Sequence, residues 1–127
     1  MNVKIDTKEK FSVISPIETE ITANMAAALK EILESHLQKD IPHIILNMQH
    51  VALLDEKAGE MIALTQQHFY ENNHSFVVCA LQTAVENSLD EHQFLETMNV
   101  TPTESEAWDI VQMEEIEREL LSDFPDE

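Results

Sequence analysis

The stretch of this chain that could do chemistry lies at residues 54–58, where an aspartate stands between an apolar run and a predicted helix. Asp55 is a favoured N-cap residue because its carboxylate can accept a hydrogen bond from a backbone N–H of the first helical turn. Helix N-termini also gather free N–H groups and attract anions, so the position could belong to a binding site. The residues alone leave two interpretations open, a structural cap and a recognition site.

Residues typical of catalysis or metal binding are present, but they lack the spacing that those functions need. The six histidines are His36, His43, His50, His68, His74 and His92. They form no HxH or HExxH pattern, none has a cysteine nearby in a zinc-type arrangement, and no catalytic triad can be argued from spacing. The single glycine, Gly59, disfavours a phosphate-cradling loop and therefore a nucleotide cofactor. We predict no metal, no cofactor and no enzymatic activity.

The charge of the chain is strongly negative and unevenly distributed. The formal net charge is −18, from 25 acidic and 7 basic residues. Residues 86–127 hold 14 of the acids and one arginine, a net charge of −13. This charge makes nucleic acid and anionic membranes poor partners. The acidic half is consistent either with solubility alone or with attraction to a basic partner.

The elements that position Asp55 can be predicted from the spacing of apolar residues. Residues 2–6 and 11–17 indicate a β-hairpin, and residues 44–46 and 75–81 are apolar runs typical of buried, parallel strands. Helices are predicted from Thr22, as N-cap, to residues 40–42, and over about residues 57–71, 83–92 and 104–121. A last short strand is predicted within residues 95–101. The resulting order predicts an α/β protein with a mixed sheet and helices packed on it.

The last helix carries two specific expectations. An apolar stripe at helical spacing, formed by Ala107, Ile110, Ile116 and Leu120, is predicted to pack against the sheet. Glu114 and Arg118 are spaced as a favourable i,i+4 ion pair.

The length of 127 residues fits one domain, predicted at residues 1–121, with an acidic tail at residues 122–127. No apolar run is long enough to span a bilayer, and no signal peptide is visible. The single cysteine, Cys79, lies in an apolar run and is predicted to be a buried core residue. These features favour a reduced, cytoplasmic location.

The order of the elements and several short stretches resemble the STAS domain, which bacterial anti-sigma factor antagonists share with the cytoplasmic ends of sulphate transporters. The second predicted strand, with Thr22 and residues 26–31, is similar to the family's first strand–helix passage, and residues 44–48 are similar to its central strand. Residues 100–108 resemble its final strand and its Pro-Thr-x-x-Glu-Ala helix start. The resemblance covers nearly the whole chain. It implies a STAS-like α/β fold whose helices pack mainly on one face of a mixed sheet.

Residues 54–58 fall where the family typically reads Asp-Ser-Ser-Gly. The resemblance places Asp55 at the family's aspartate, Glu56 and Lys57 at its two serines, and Ala58 at its glycine. In the family, an anti-sigma factor that is also a serine kinase phosphorylates the second serine, which is the position of Lys57. Lysine does not form a stable phosphate ester and carries the opposite charge, so we expect no phosphorylation there.

The function that the resemblance implies is a non-catalytic regulatory module of a partner-switching pathway. The expected partner-binding surface consists of Thr22, Asp55, Glu56, Lys57 and Ala58. The implied partner is a protein, with an anti-sigma factor serine kinase as the candidate, and the chain is expected to be a monomer or weak homodimer. One alternative is a soluble STAS subunit that docks on a membrane-transport assembly. Another, a metal-dependent enzyme, would retain metal through purification.

Overall fold

The computed structural model describes residues 1–122, apart from the side chain of Ser122. The strands are β1 (Val3–Thr7), β2 (Ser12–Pro16), β3 (Glu20–Ile21), β4 (Ile44–Asn47), β5 (Leu53–Leu54), β6 (Phe76–Cys79) and β7 (Val100–Thr101). The α-helices are α1 (Ala23–Ser35), α2 (Glu56–Glu71), α3 (Thr83–Glu91) and α4 (Glu104–Ser122). Every predicted helix and strand is present, and β3 and β5 are additional.

Five strands form the central sheet, in the order β1-β2-β4-β6-β7. β1 and β2 are antiparallel, and the other neighbouring pairs are parallel. Helix α2 joins β4 to β6, since a crossover connection is needed to bring parallel neighbours together. Ile45 lies opposite Val77 in these strands, and Ile45 and Val78 are both buried. The predicted mixed sheet is therefore confirmed.

The residues of the sheet alternate between two hydrophobic cores, because successive strand side chains point to opposite faces. Ile44 and Leu46 belong to the larger core, which α1, α2 and α3 cover. Ile45 belongs to the smaller core, where Ala107 and Val111 of α4 cover the sheet. Helices thus lie mainly on one face, and α4 lies alone on the other.

Helix α4 differs from the prediction along its second half. Ala107 is buried against the sheet as expected, but Ile116 and Leu120 are 55% and 54% exposed. The prediction that these two residues pack against the sheet is wrong. The reason is that Tyr70 donates a hydrogen bond to Glu114 at 2.8 Å, so the polar side of the helix faces the protein at this level.

The prediction of an ion pair between Glu114 and Arg118 is also wrong. Arg118 instead donates from Nη2 to the Ser75 hydroxyl at 2.9 Å, and its Nη1 lies 3.5 Å from the carboxylate of Glu115. The bond from Tyr70 to Glu114 explains why a local spacing rule failed here. A contact distant in sequence holds the carboxylate that the rule assigned to Arg118.

The predicted domain boundary at residue 121 falls inside the last turn of α4, which ends at Ser122. The rest of the acidic tail expected at residues 122–127 lies outside the described residues, so it stays a prediction. None of the helices within residues 1–122 combines the length and the apolar character needed to cross a bilayer.

Candidate functional site

The start of α2 is positioned by a small parallel sheet that the sequence did not reveal. Strand β3 pairs with β5, which places Ile21 opposite Leu54. The N–H of Asp55 continues this pairing, since it donates to the Ile21 carbonyl at 2.9 Å. Thr22 follows Ile21 directly, so the two strands bring the first residues of α1 beside those of α2.

Asp55 caps α2, as the sequence predicts. Its Oδ1 accepts a hydrogen bond of 2.9 Å from the N–H of Lys57, and its own backbone is extended, which is typical of an N-cap. Its carbonyl accepts the N–H of Gly59 at 2.9 Å, which closes the first turn. Glu56 places a negative charge in this turn, where the helix dipole favours it, whereas the positive charge of Lys57 is disfavoured there.

The five residues of the expected binding surface are not equally accessible. Asp55, Glu56 and Lys57 are exposed, and Thr22 is half-buried. Ala58 is fully buried, because it lies on the face of α2 that packs into the larger core. The structure therefore removes the Ala58 side chain from the surface, and that residue can shape the site only from below.

Thr22 occupies the N-cap position of α1 but does not cap with its side chain. No hydrogen bond joins its hydroxyl to a helical N–H. The bond that starts the helix is a backbone one, in which the Thr22 carbonyl accepts the N–H of Met25 at 3.0 Å. The sequence therefore predicted the position of this helix start correctly and its hydrogen bond incorrectly.

Two neighbours of the site were missed at the level of sequence. Leu53, two residues before the cap, is 56% exposed, and His92, at the end of α3, lies 3.6 Å from the carboxylate of Glu56. Strand alternation would have placed Leu53 outside and Leu54 inside if β5 had been recognised. No spacing rule connects Glu56 to His92. We call Thr22, Leu53, Asp55, Glu56 and Lys57 the helix-start surface.

A groove extends the helix-start surface between α1 and α2. It has a volume of about 440 Å³, and its lining includes Lys30 and Glu34 of α1 with Lys57 and Leu64 of α2. Charges of both signs line it, so it is suited to a polypeptide partner with mixed charge rather than to a simple anion.

The other potentially reactive groups of residues 1–122 include one cysteine, Cys79, which is buried. Burial, with a smaller contribution from Glu104, raises the pKa of the Cys79 thiol to about 12, so this thiol is neutral and a poor nucleophile. Within the part of the chain that the structure describes, no group of three or more histidine, cysteine or acidic side chains could hold a metal ion.

A comparison with protein families gives a match to the STAS domain over residues 2–107. The chain belongs to the STAS domain family. The match begins just before β1 and ends in the first turn of α4. It therefore contains the whole helix-start surface of this STAS protein and leaves most of α4 outside.

Solved structures of STAS proteins share this fold. An anti-sigma factor antagonist from Mycobacterium paratuberculosis is 21% identical with a TM-score of 0.74, covering 87% of this chain and 93% of that one. The anti-sigma factor antagonist SpoIIAA in its unphosphorylated form is 15% identical with a TM-score of 0.69, covering 87% of this chain and 96% of that one. The murine anion transporter Slc26a9 is 12% identical with a TM-score of 0.67, covering 82% of this chain and 18% of the transporter. At these identities the similarity establishes the fold alone.

Proposed function

We propose that this STAS protein is a regulatory module without catalytic activity, which binds a protein partner through its helix-start surface as an anti-sigma factor antagonist does in a partner-switching pathway. The similarity to two anti-sigma factor antagonists supports this class of function. The proposed partner is an anti-sigma factor serine kinase, the proposed location is the cytoplasm, and the proposed state is a monomer or weak homodimer.

The observation that carries the proposal is the construction of the helix start. Three charged side chains, those of Asp55, Glu56 and Lys57, are exposed within one turn, and the cap and the β3–β5 pair fix the backbone beneath them. Exposed Leu53 adds an apolar contact beside these charges. Fixed polar groups around an apolar contact suit protein recognition, because little ordering is needed on binding.

Lys57 determines how such binding would be controlled. SpoIIAA has been solved in both unphosphorylated and phosphorylated forms. A phosphate would add nearly two negative charges to an exposed helix start, whereas Lys57 places a positive side chain there. Binding by this protein is therefore constitutive, or is set by how much of the protein the cell makes.

The proposal that binding is set by the amount of the protein, and not by phosphorylation, can be tested with kinase assays. Residues 53–61 contain no serine, threonine or tyrosine, so the assay needs a variant. We expect Lys57→Ser not to be phosphorylated by serine-kinase anti-sigma factors of the native host, because the carboxylate of Glu56 beside the new hydroxyl repels the incoming phosphate. The matched control is Glu56→Ser combined with Lys57→Ser, which removes that charge. Efficient phosphorylation of the single variant would contradict this account of the site.

The binding surface can be tested with a photo-crosslinking amino acid placed at Glu56 during expression in native cells. The matched control places it at Gln67, which is exposed on the same helix but remote from its start. We expect a kinase-type anti-sigma factor to be captured from position 56 and not from position 67. Capture of the same protein at both positions, or only at position 67, would refute the proposed surface.

A second candidate function is a STAS subunit that docks on a membrane-transport assembly. The match to Slc26a9, a transporter of which the shared fold is only a small part, favours it. The same crosslinking experiment distinguishes the two functions, because this candidate predicts that position 56 captures a transport ATPase or a permease from the membrane fraction.

A further inference from the structure

Helix α4 is unusual in that its second half presents polar residues to the protein. Glu114 accepts a hydrogen bond from Tyr70, and the carboxylate of Glu115 lies 2.8 Å from Nε2 of His43. Arg118, one turn further on, completes this polar attachment through its bond to Ser75. This half of the helix is thus held in place while Met113, Ile116 and Leu120 stay exposed.

Those apolar residues lie together on the outer side of α4. Met113, Ile116 and Leu120 are 56%, 55% and 54% exposed. Their spacing of three and then four residues places them along one side of the helix, as in the seam of a coiled coil. We call these three residues the α4 stripe. Covering side chains of this size removes apolar area from water, so a covered stripe is more stable than a bare one.

A pocket lies beside the α4 stripe and shares a residue with it. It has a volume of about 200 Å³, and its lining includes Val111, Glu115 and Ile116 of α4 with Lys10 and His43. A second helix can pack along the α4 stripe and insert a side chain into this pocket.

The charges around the α4 stripe indicate which kind of helix can bind to it. Asp109 continues the outer face towards the start of α4, and Glu117 and Glu119 lie on its two flanks. A second copy of the chain would bring these carboxylates against its own, which is unfavourable, whereas a basic helix would meet opposite charges. We propose that the α4 stripe docks a basic amphipathic helix of another protein.

This second surface is separate from the helix-start surface. Helix α4 covers the opposite face of the sheet from α1 and α2, so both surfaces can be occupied at once. A STAS protein built in this way can join two partners, one at the start of α2 and one along α4.

The proposal can be tested with a synthetic fluorescent peptide that forms an amphipathic helix of about three heptads, with leucine at the a and d positions and lysine at the e and g positions. Binding to the full chain is followed by fluorescence anisotropy. We expect the double variant Ile116→Gln and Leu120→Gln, which leaves every charge in place, to weaken binding about tenfold or more, because each substitution removes buried apolar area. We expect a peptide with glutamate at e and g not to bind.

The matched control is the double variant Ile5→Gln and Ile17→Gln, because Ile5 and Ile17 are also exposed, at 45% and 53%, but lie outside α4 and the helix-start surface. It should retain binding within about twofold. Equal binding by wild type and the α4 variant would overturn the proposal, since attraction would then depend on net charge alone. A concentration-dependent dimer that the α4 variant abolishes, without peptide binding, would overturn it in favour of a second copy of the chain.

Discussion

The start of α2 and the second half of α4 are two helical segments of one small protein with opposite polarity. At the start of α2, Ala58 and Ile62 point into the core and the charged residues point to solvent. In the second half of α4, Glu114 and Arg118 face the protein, and Ile116 faces solvent. Burial of apolar area holds the first segment, whereas hydrogen bonds and ion pairs hold the second.

The difference between these two segments shows that a candidate binding surface has to be identified from the side chains that are exposed, and not from residue types alone. Burying an isoleucine contributes about 1.5–3 kcal/mol, and a single hydrogen bond contributes only about 0.5–1.5 kcal/mol net. The second half of α4 is therefore attached by several individually weak contacts, and it keeps its apolar residues available. The start of α2 keeps only polar groups and Leu53 available.

The largest expected effect is a difference in the free energy of unfolding between two single variants, with the same substitution made once in α2 and once in α4. Ile62→Ala should lower the free energy of unfolding by about 2–5 kcal/mol, because Ile62 is 1% exposed and its truncation leaves a cavity. Ile116→Ala should change it by less than about 0.5 kcal/mol, because no core contact is lost. Urea unfolding of the two variants measures both values. A loss of similar size in each would show that Ile116 is buried in solution.

The next effect concerns the polar attachment of α4. The Tyr70 hydroxyl donates to Glu114 and accepts from Asn99, each at 2.8 Å, and burial together with the bond to Glu114 raises the pKa of Tyr70 above its usual value of 10. Tyr70→Phe should lower stability by about 1–3 kcal/mol, because it leaves these groups without a partner.

A double-mutant cycle with Glu114→Gln, measured by urea unfolding, shows how much of the loss belongs to the pair. Because residues in direct contact couple, we expect a coupling energy of about 0.5–3 kcal/mol. Additive effects of the two substitutions would show that Tyr70 does not hold α4 through Glu114.

A smaller effect distinguishes the two helix caps beside the candidate site. Asp55→Ala should cost about 0.5–2 kcal/mol, because it removes the hydrogen bond to the N–H of Lys57. Thr22→Ala should cost only a few tenths of a kcal/mol, because the Thr22 hydroxyl makes no capping bond. Thermal unfolding compares the pair. Equal losses would mean that Thr22 caps α1 in solution.

The sequence predicted those parts of the fold that short-range patterns determine. Short-range patterns predict the strands β4 and β6 and the cap at Asp55, because each of these features depends on residues that are close together in the sequence. The two-residue strands β3 and β5 were not predicted, since a period of two cannot be recognised in so short a stretch.

The orientation of α4 was unpredictable for a different reason. This helix has apolar residues on two sides, and the side that meets the sheet is chosen by partners remote in sequence, such as Tyr70 and Ser75. For the candidate site, the burial of Ala58 was contained in the helical spacing of Ala58 and Ile62. The resemblance to the family placed Ala58 in the site because it identifies positions in a motif and not the direction of side chains.

The smallest expected effect is a dependence of stability on pH that comes from His43, one of the residues attaching α4. The N–H of Ser75 donates to its Nδ1 at 3.0 Å, so the ring proton is on Nε2, facing the carboxylate of Glu115. Burial lowers the pKa of His43 below its usual value of 6.5, with Glu115 opposing and Arg118 and His74 adding to the shift. A second proton would have to replace the bond from Ser75.

The sign of this effect follows from proton binding. Below pH 6.5 the unfolded chain takes up a proton at residue 43 that the folded chain resists, so stability is complete above that value and falls as the pH drops through the window beneath it. The slope for one group is at most about 1.4 kcal/mol per pH unit. We expect His43→Gln to flatten the curve of unfolding free energy against pH in this window. Some slope should remain, because burial also lowers the pKa of His36. A variant with the slope of wild type would show that His43 does not couple protonation to the attachment of α4.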